Sequence, residues 1–143
     1  MLSMKAKYAI RALMVLGGNE GKMMQSKAIA KDADAPLKFL EAILLDLKNH
    51  GLVASKRGIF GGYFLARSAK DIMVGDVVRH IDGMLAPIRC ASVNNYEKCE
   101  DCVDEHNCTI RHVMIEVRNA ISDVLDRKTL ADMVRTKKLG KLV

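Results

Sequence analysis

Four cysteines, Cys90, Cys99, Cys102 and Cys108, lie between residues 90 and 108 of a 143-residue chain that has no others. Eight, two and five residues separate successive thiols. Cys99-x-x-Cys102 is half of a zinc knuckle, but the paired C-x-x-C of a structural zinc site is missing. The compact ferredoxin run is missing too. Thiolates select soft metals and iron–sulfur clusters, so a loop that wraps such a group is the chemistry on offer. His106 and His112 are nearby imidazoles, and a single His is more commonly a surface or packing residue than a ligand. Glu97, Glu100, Asp101, Asp104 and Glu105 surround the thiols, with Lys98 the one cation among them. That negative field keeps metal-free thiols protonated, the opposite of what a nucleophile needs. A bound cation deprotonates thiols and tolerates the acids, so metal binding accounts for the loop better than thiol catalysis does.

The remaining chain must position this loop. A length of 143 residues fits one domain, or one small domain with an extension. Half the residues are hydrophobic, aromatics are few and Trp is absent, a mix that favours helices around a real core. No segment approaches the roughly 18 apolar residues of a membrane span. Arg11 interrupts the apolar N-terminal run, so no signal peptide is expected either. The expected location is the cytoplasm, where thiols stay reduced and point to metal or redox chemistry before disulfides. Charge is unevenly placed. Residues 1–70 hold 12 Lys and Arg against 5 Asp and Glu, a net of +7, and residues 71–143 hold 11 against 12, a net of −1. The basic half is the candidate polyanion-binding face.

Periodicity predicts a first helix over 4–17, nearly surrounded by core and stopped by Gly17-Gly18. Ser26 is expected to cap a short second helix carrying Ala28, Ile29 and Ala33. A third helix over 36–49 has Leu37, Leu40, Leu44 and Leu47 at helical spacing. "LVASKR" and "GYFLAR", separated by "GIFGG", read as a two-stranded hairpin over 52–67. Three helices followed by a basic hairpin is the layout of a winged helix-turn-helix, with the third helix in the major groove. The competing reading is a helical domain with an ordinary hairpin. Order, charge and glycine placement favour DNA. A further helix is predicted over 71–83, starting near Asp71 and ending at Gly83. A long helix follows from about Thr109. Ile110, Met114, Val117, Ile121 and Val124 form a coiled-coil seam on it, widened by Val113, Ala120 and Leu125. Such a helix is expected to pair across a two-fold axis. "LDRKTLADMV" predicts a short closing helix and "RTKKLGKLV" a frayed basic tail.

"KAKYAIRALMVLG", "LKFLEAILLDLKNHGLVASKRGIFGGYFLAR", "DIMVGDVVRHIDG" and "TLADMV" together resemble the Rrf-type winged-helix transcription regulators, the IscR-, NsrR- and RirA-like group, over about residues 1–135. The resemblance implies a mainly α fold with a small β-hairpin wing and a long dimerisation helix. Its expected divisions are a winged helix-turn-helix DNA-binding domain at 1–70, a connecting helix at 71–85, a cluster loop at 86–108, and a dimerisation helix with its tail at 109–143. It implies a homodimeric repressor on a pseudo-palindromic operator in double-stranded DNA. Three loop cysteines would hold a 2Fe–2S or 4Fe–4S cluster that controls DNA affinity and senses iron, cluster supply, or redox and nitrosative stress.

Cys90, Cys102 and Cys108 match the family's cysteine positions, and Cys99 is additional or replaces Cys102. Lys7 and Tyr8 stand where some relatives have a carboxylate ligand. Arg111 stands where others have His, and His112 follows one residue later. Cys99 or His112 is therefore the candidate for the fourth ligand. On the DNA side the resemblance points to Ser26, Leu37, Lys38 and Glu41 around the recognition helix, and to Lys56, Arg57 and Gly58 at the wing. Glu41 also has a bland role as a helix-surface ion-pair partner. The alternatives are a zinc-bound or thiol–disulfide loop on the same regulator, or an electron carrier. No nucleophile–base pair, phosphate loop or carboxylate dyad is present, so an enzyme is not expected.

Overall fold

The computed structural model describes residues 1–138. In chain order the elements are α1 (Met4–Gly18), α2 (Ser26–Ala33), α3 (Leu37–Asn49), β1 (Val53–Lys56), β2 (Gly62–Leu65), α4 (Val74–Asp82), α5 (Thr109–Leu125) and α6 (Leu130–Lys138), with short 3-10 turns at Ala69–Asp71 and Arg89–Ala91.

The core is organised around α1. Ala6, Ala9, Ile10, Ala12, Leu13, Val15 and Leu16 are all buried, so nearly its whole circumference is covered. Small alanines let neighbouring helices approach closely. Ser3 caps the helix by accepting from the Ala6 N–H at 3.0 Å. The Ser3 hydroxyl and backbone N–H both donate to Asp82, which ties the start of α1 to the end of α4. The far end runs through both glycines and stops at Asn19, whose side-chain amide donates to the Val15 carbonyl at 2.8 Å. Gly17 lies inside the helix close against α6, where a Cβ would stand 3.3 Å from a Val134 methyl, a tight contact.

Two further expectations shift. Ser26 is the first residue of α2, and the cap position belongs to Gln25, which makes no side-chain cap bond. Asp71 lies in the 3-10 turn, so α4 begins three residues later, at Val74. In α3 the buried face is Leu40, Ile43, Leu44 and Leu47, and Leu37 is half-buried at the margin of the core.

The wing is an antiparallel pair with Val53 opposite Leu65 and Lys56 opposite Gly62. It is anchored below by two bonds between Met24 and Tyr63, at 2.9 and 2.7 Å. Gly62 sits at φ 150°, and a Cβ there would lie 2.7 Å from the Met24 carbonyl oxygen. The connection between α5 and α6 returns to this body. The Val74 N–H donates to the Lys128 carbonyl at 2.9 Å, and the Leu130 N–H donates to the Ile72 carbonyl at 2.8 Å. Thr129 and Asp132 exchange reciprocal backbone–side-chain bonds at 3.0 Å, a capping box that starts α6. Arg135 to Lys138 continue that helix instead of fraying; the rest of the expected tail, 139–143, lies outside the described residues.

The helix α5 has no buried residue. Its exposed apolar positions are Ile110, Val113, Val117 and Val124. With exposed Ala120 they recur at steps of three and four. Met114, Ile121 and Leu125 are half-buried on the side that faces the body. The free seam is therefore rotated from the expected one, with Val113 and Ala120 replacing Met114 and Ile121.

Gly62→Ala tests how the wing is held. Its Cβ would meet backbone atoms that cannot swing aside, at a left-handed φ that alanine disfavours. The expected loss is about 1–3 kcal/mol in urea unfolding.

Candidate nucleic-acid interface and cysteine loop

Two surfaces carry the sequence-expected residues. On the first, α3 and the wing present Lys38, Glu41, Lys56, Arg57 and Gly58, all exposed. None of the three cations has an ion-pair partner among the described residues. Gly58 takes φ 112°, which lets the strand turn tightly out of Arg57. The Ser26 hydroxyl donates to Glu41 Oε1 at 3.4 Å, so these two residues meet across α2 and α3. Glu41 has this polar neighbour in place of a cation on its own helix. Leu37 is half-buried and joins the core margin, which limits how far it can reach outward. Lys48 was not singled out by the sequence, yet its ammonium donates to Ser55 Oγ at 2.8 Å and fixes the recognition helix to β1.

The second surface is the loop from Met84 to Cys108. Cys90 is 5% exposed within the 3-10 turn, and Cys99 is exposed. Their Sγ atoms are 3.6 Å apart. Two sulfurs sharing one tetrahedral metal through bonds of about 2.3 Å stand roughly 3.8 Å apart, so this pair already has ligand spacing. Cys102 and Cys108 are half-buried, and Cys108 Sγ accepts the Arg111 N–H at 3.4 Å while capping α5. His112 is exposed and continues the helix backbone. Among the described residues no three Cys, His, Asp or Glu side chains form a cation site, so the four thiols stand as a pair plus two.

Electrostatics follow the sequence argument. The Cys99 thiol is held above its ordinary range, first by its bond to Cys90 and then by burial and the neighbouring charges of Cys90, Asp101 and Cys108. The Cys102 thiol is raised by desolvation and by Glu105, against the opposing pull of Lys98. The Tyr96 hydroxyl donates to Glu105, and that bond leads the causes that push Tyr96 up to about 12. The soft donor set and the spacing of the first pair suit an iron–sulfur group or zinc, provided that Cys102 and Cys108 close on it.

Three arginines join the loop to the body, and none stood out in the sequence. Arg111 Nε donates to the Cys90 carbonyl at 2.9 Å, and Arg118 Nη1 donates to the Ala91 carbonyl at 2.7 Å. Both carbonyls belong to the short turn that carries Cys90, so the turn is clamped onto α5. Arg79 of α4 reaches Asp126 with two bonds of 2.7 Å, and donates to Ser122 at 2.9 Å. At the other side of α4, His80 stacks on His50 at the end of α3, with ring centroids 4.5 Å apart. Burial first, then the His50 neighbour, holds His80 below its ordinary range. A run of direct contacts thus joins the thiol turn, α5, α4 and the end of the recognition helix.

Three helices and a two-stranded wing with free cations define a winged helix-turn-helix protein of the DNA-binding class. The sequence pattern described as Rrf2, iron-dependent transcriptional regulator, matches residues 2–136. The chain belongs to the Rrf2 family of transcriptional regulators, and so to a group of regulators and not of enzymes. It is 41% identical over 138 residues to an rrf2-like HTH-type transcriptional regulator of Rhodobacter capsulatus, covering 94% of this chain and 92% of that one. Among solved structures it is similar to CymR, the global cysteine regulator of B. subtilis, with a TM-score of 0.77 and 31% identity over 94% of this chain and 96% of that one. It is equally similar to T. potens IscR, with a TM-score of 0.77 and 29% identity over 100% and 92%. Among the described residues no helix is long and apolar enough to cross a membrane.

The clamp on the Cys90 turn gives a direct test. A hydrogen bond from a charged group contributes about 1.5–3 kcal/mol, and losing one raises local opening roughly tenfold or more. In reduced, metal-free protein Cys90 is expected to react slowest of the four thiols with a maleimide. Arg118→Ala should speed that thiol selectively, as read by mass spectrometry of the labelled peptides.

Proposed function

We propose that this regulator binds a pseudo-palindromic operator as a homodimer, and that an iron–sulfur cluster in the cysteine loop sets its affinity. The observation that carries the reading is the Cys90–Cys99 pair, held at 3.6 Å on a turn that two arginines clamp to α5. Cys90, Cys102 and Cys108 are the family-matched ligands, and Cys99 is favoured over His112 as the fourth because it already adjoins Cys90. When bound, the cluster supplies a redox- and nitric-oxide-reactive group whose loss reports iron or oxidative status. This chain's residues do the rest. The loop closes, Arg111 and Arg118 carry the position of the Cys90 turn to α5, and Arg79 carries that of α5 to α4.

Homodimerisation is supported by the exposed apolar stripe of α5, since a seam at steps of three and four pairs with a copy of itself. The domain division follows the same logic: residues 1–70 hold the DNA, 71–85 connect, 86–108 sense, and 109–143 pair and close the core. Ser26, Leu37, Lys38 and Glu41 would act at the major groove, the first two by positioning. Lys56, Arg57 and Gly58 would act along the backbone. Cytoplasmic placement follows from a DNA partner and from thiols that must stay reduced.

The same close pair favours one other reading, a thiol–disulfide or zinc loop on an otherwise identical regulator. Forming the disulfide requires the two sulfurs to close to about 2.05 Å, with two electrons and two protons passing to an oxidant.

Anaerobic purification with iron, sulfide and zinc measured on one sample separates the readings. Visible absorbance near 400 nm (roughly the sulfur-to-iron charge-transfer region) is expected, with matching iron and sulfide. Cys108→Ala should abolish the colour and leave the dimer intact by sedimentation. Wild-type absorbance in that variant would overturn the assignment. A colourless protein with one zinc per chain, or a Cys90–Cys99 crosslink on mild oxidation, would select the second reading.

A further inference from the structure

The wing ends in a turn that is built unlike its surroundings. The Gly61 N–H donates to the Gly58 carbonyl at 3.0 Å, which leaves Ile59 and Phe60 as the two central residues of a four-residue turn. Gly, Pro, Asn and Asp are the residues that turn centres favour, so two large apolar side chains there need another reason. Ile59 is 88% exposed and Phe60 is 94% exposed. The turn beneath them is braced. A Cβ on Gly61 would collide with the Lys56 carbonyl, and the neighbouring Gly62 is pressed against Met24. Lys56 and Arg57 precede the turn and are themselves exposed and unpaired among the described residues. The wing thus carries an exposed apolar point directly beside two cations unpaired among the described residues.

We propose that this tip is a minor-groove wedge: Phe60, backed by Ile59, enters the minor groove of duplex DNA and unstacks one base step, while Lys56 and Arg57 hold the adjoining phosphates. The proposal rests on the DNA-binding reading and adds a specificity device to it. Charge decides the occupant. An apolar protein partner would gain nothing from the two cations, whereas a polyanion needs them and offers stacked bases to an inserted ring. Apolar side chains that enter the minor groove kink the duplex away from themselves. Pyrimidine–purine steps are unstacked most cheaply, so the wedge would select such a step without reading a base edge.

The test uses full-length protein, both metal-free and anaerobically reconstituted, and a duplex selected by it from a random pool. With 2-aminopurine walked through that duplex, wild-type protein should raise the fluorescence several-fold at one step per half-site. Phe60→Ala should abolish this signal, straighten the duplex by end-to-end energy transfer and weaken binding about tenfold per half-site, the size expected for one lost base stack in each. Phe60→Leu should restore part of it. The salt slope should be unchanged in both, while Lys56→Ala, which removes one phosphate contact in each half-site, should lower its magnitude by about 1.8. Unperturbed 2-aminopurine at every position, with Phe60→Ala binding as wild type, would overturn the wedge and leave DNA binding intact. Failure of both protein forms to select any sequence would overturn the DNA-binding reading, and the wedge with it.

Discussion

A helix with seven buried apolar residues spread around most of its circumference has to be enclosed, and α1 imposes that condition on the whole chain. Its alanines accept close neighbours, so α2 and α3 cover part of it, and α4 is pinned to its start through Ser3 and Asp82. The remaining side is closed by α6, where Val134 meets Gly17 and Leu130 is fully buried. The core is therefore one cluster that runs from Ala9 to Leu130. Because its last piece comes from the C-terminal end, everything between α4 and α6 must leave the body and return to it. The cysteine loop and α5 are that excursion. The excursion buries Cys90 and Ala91 at its turn, yet α5 itself has no buried residue and keeps its apolar stripe exposed.

Much of this architecture was legible as pattern. The leucine spacing of α3, the β-prone runs around a glycine turn and the apolar run of α1 each follow from period and composition. The errors have particular causes. Ser26 has the right chemistry for a cap, but its hydroxyl is turned to Glu41 and the helix starts one residue earlier in the cap sense, at Gln25. Gly17-Gly18 looked like a stop because glycine usually ends helices; here the helix runs through both, and Gly17 packs closely against Val134. The seam of α5 was misaligned because Met114 and Ile121 are as hydrophobic as their neighbours. Only the docking of α5 beside the Cys90 turn distinguishes the faces. The closeness of Cys90 and Cys99 could not be read from their spacing, and neither could the grips of Arg111, Arg118 and Arg79, since an arginine that will hold a carbonyl or a carboxylate looks like any surface cation.

Those arginines also explain the charge asymmetry. The C-terminal half is near neutral, and much of its positive charge is committed. Arg79 is held by Asp126, Arg89 by Glu97 and Arg135 by Asp132, while Arg111 and Arg118 grip backbone carbonyls. The acids around the thiols keep that region negative, and the Cys99 and Cys102 thiols are held above their ordinary range, the first chiefly by its hydrogen bond to Cys90 and the second chiefly by desolvation. In the N-terminal half, by contrast, Lys38, Lys56 and Arg57 remain uncommitted. The division is thus one of availability as well as of number, because the cations of the third helix and the wing have no ion-pair partner among the described residues.

What links the two ends is a joint of modest strength. Gly75 lies where α4 meets the end of α5, and a Cβ there would collide with Asp126 Oδ1. Glycine inside a helix costs about 1 kcal/mol against alanine, and here it makes room for the two-pronged grip of Arg79 on Asp126. The pair is partly exposed, 23% and 40% for the two side chains, so screening holds its contribution to about 0–1 kcal/mol. Hydrogen bonds from Arg79 lower the pKa of Asp126, so the pair is complete at neutral pH and is lost only as acid carries the carboxyl through that lowered value. Its geometry is specific while its energy is small. A joint of that kind fixes where α5 sits against α4 by geometry more than by energy, and the same α4 meets the end of α3 through the His80–His50 stack.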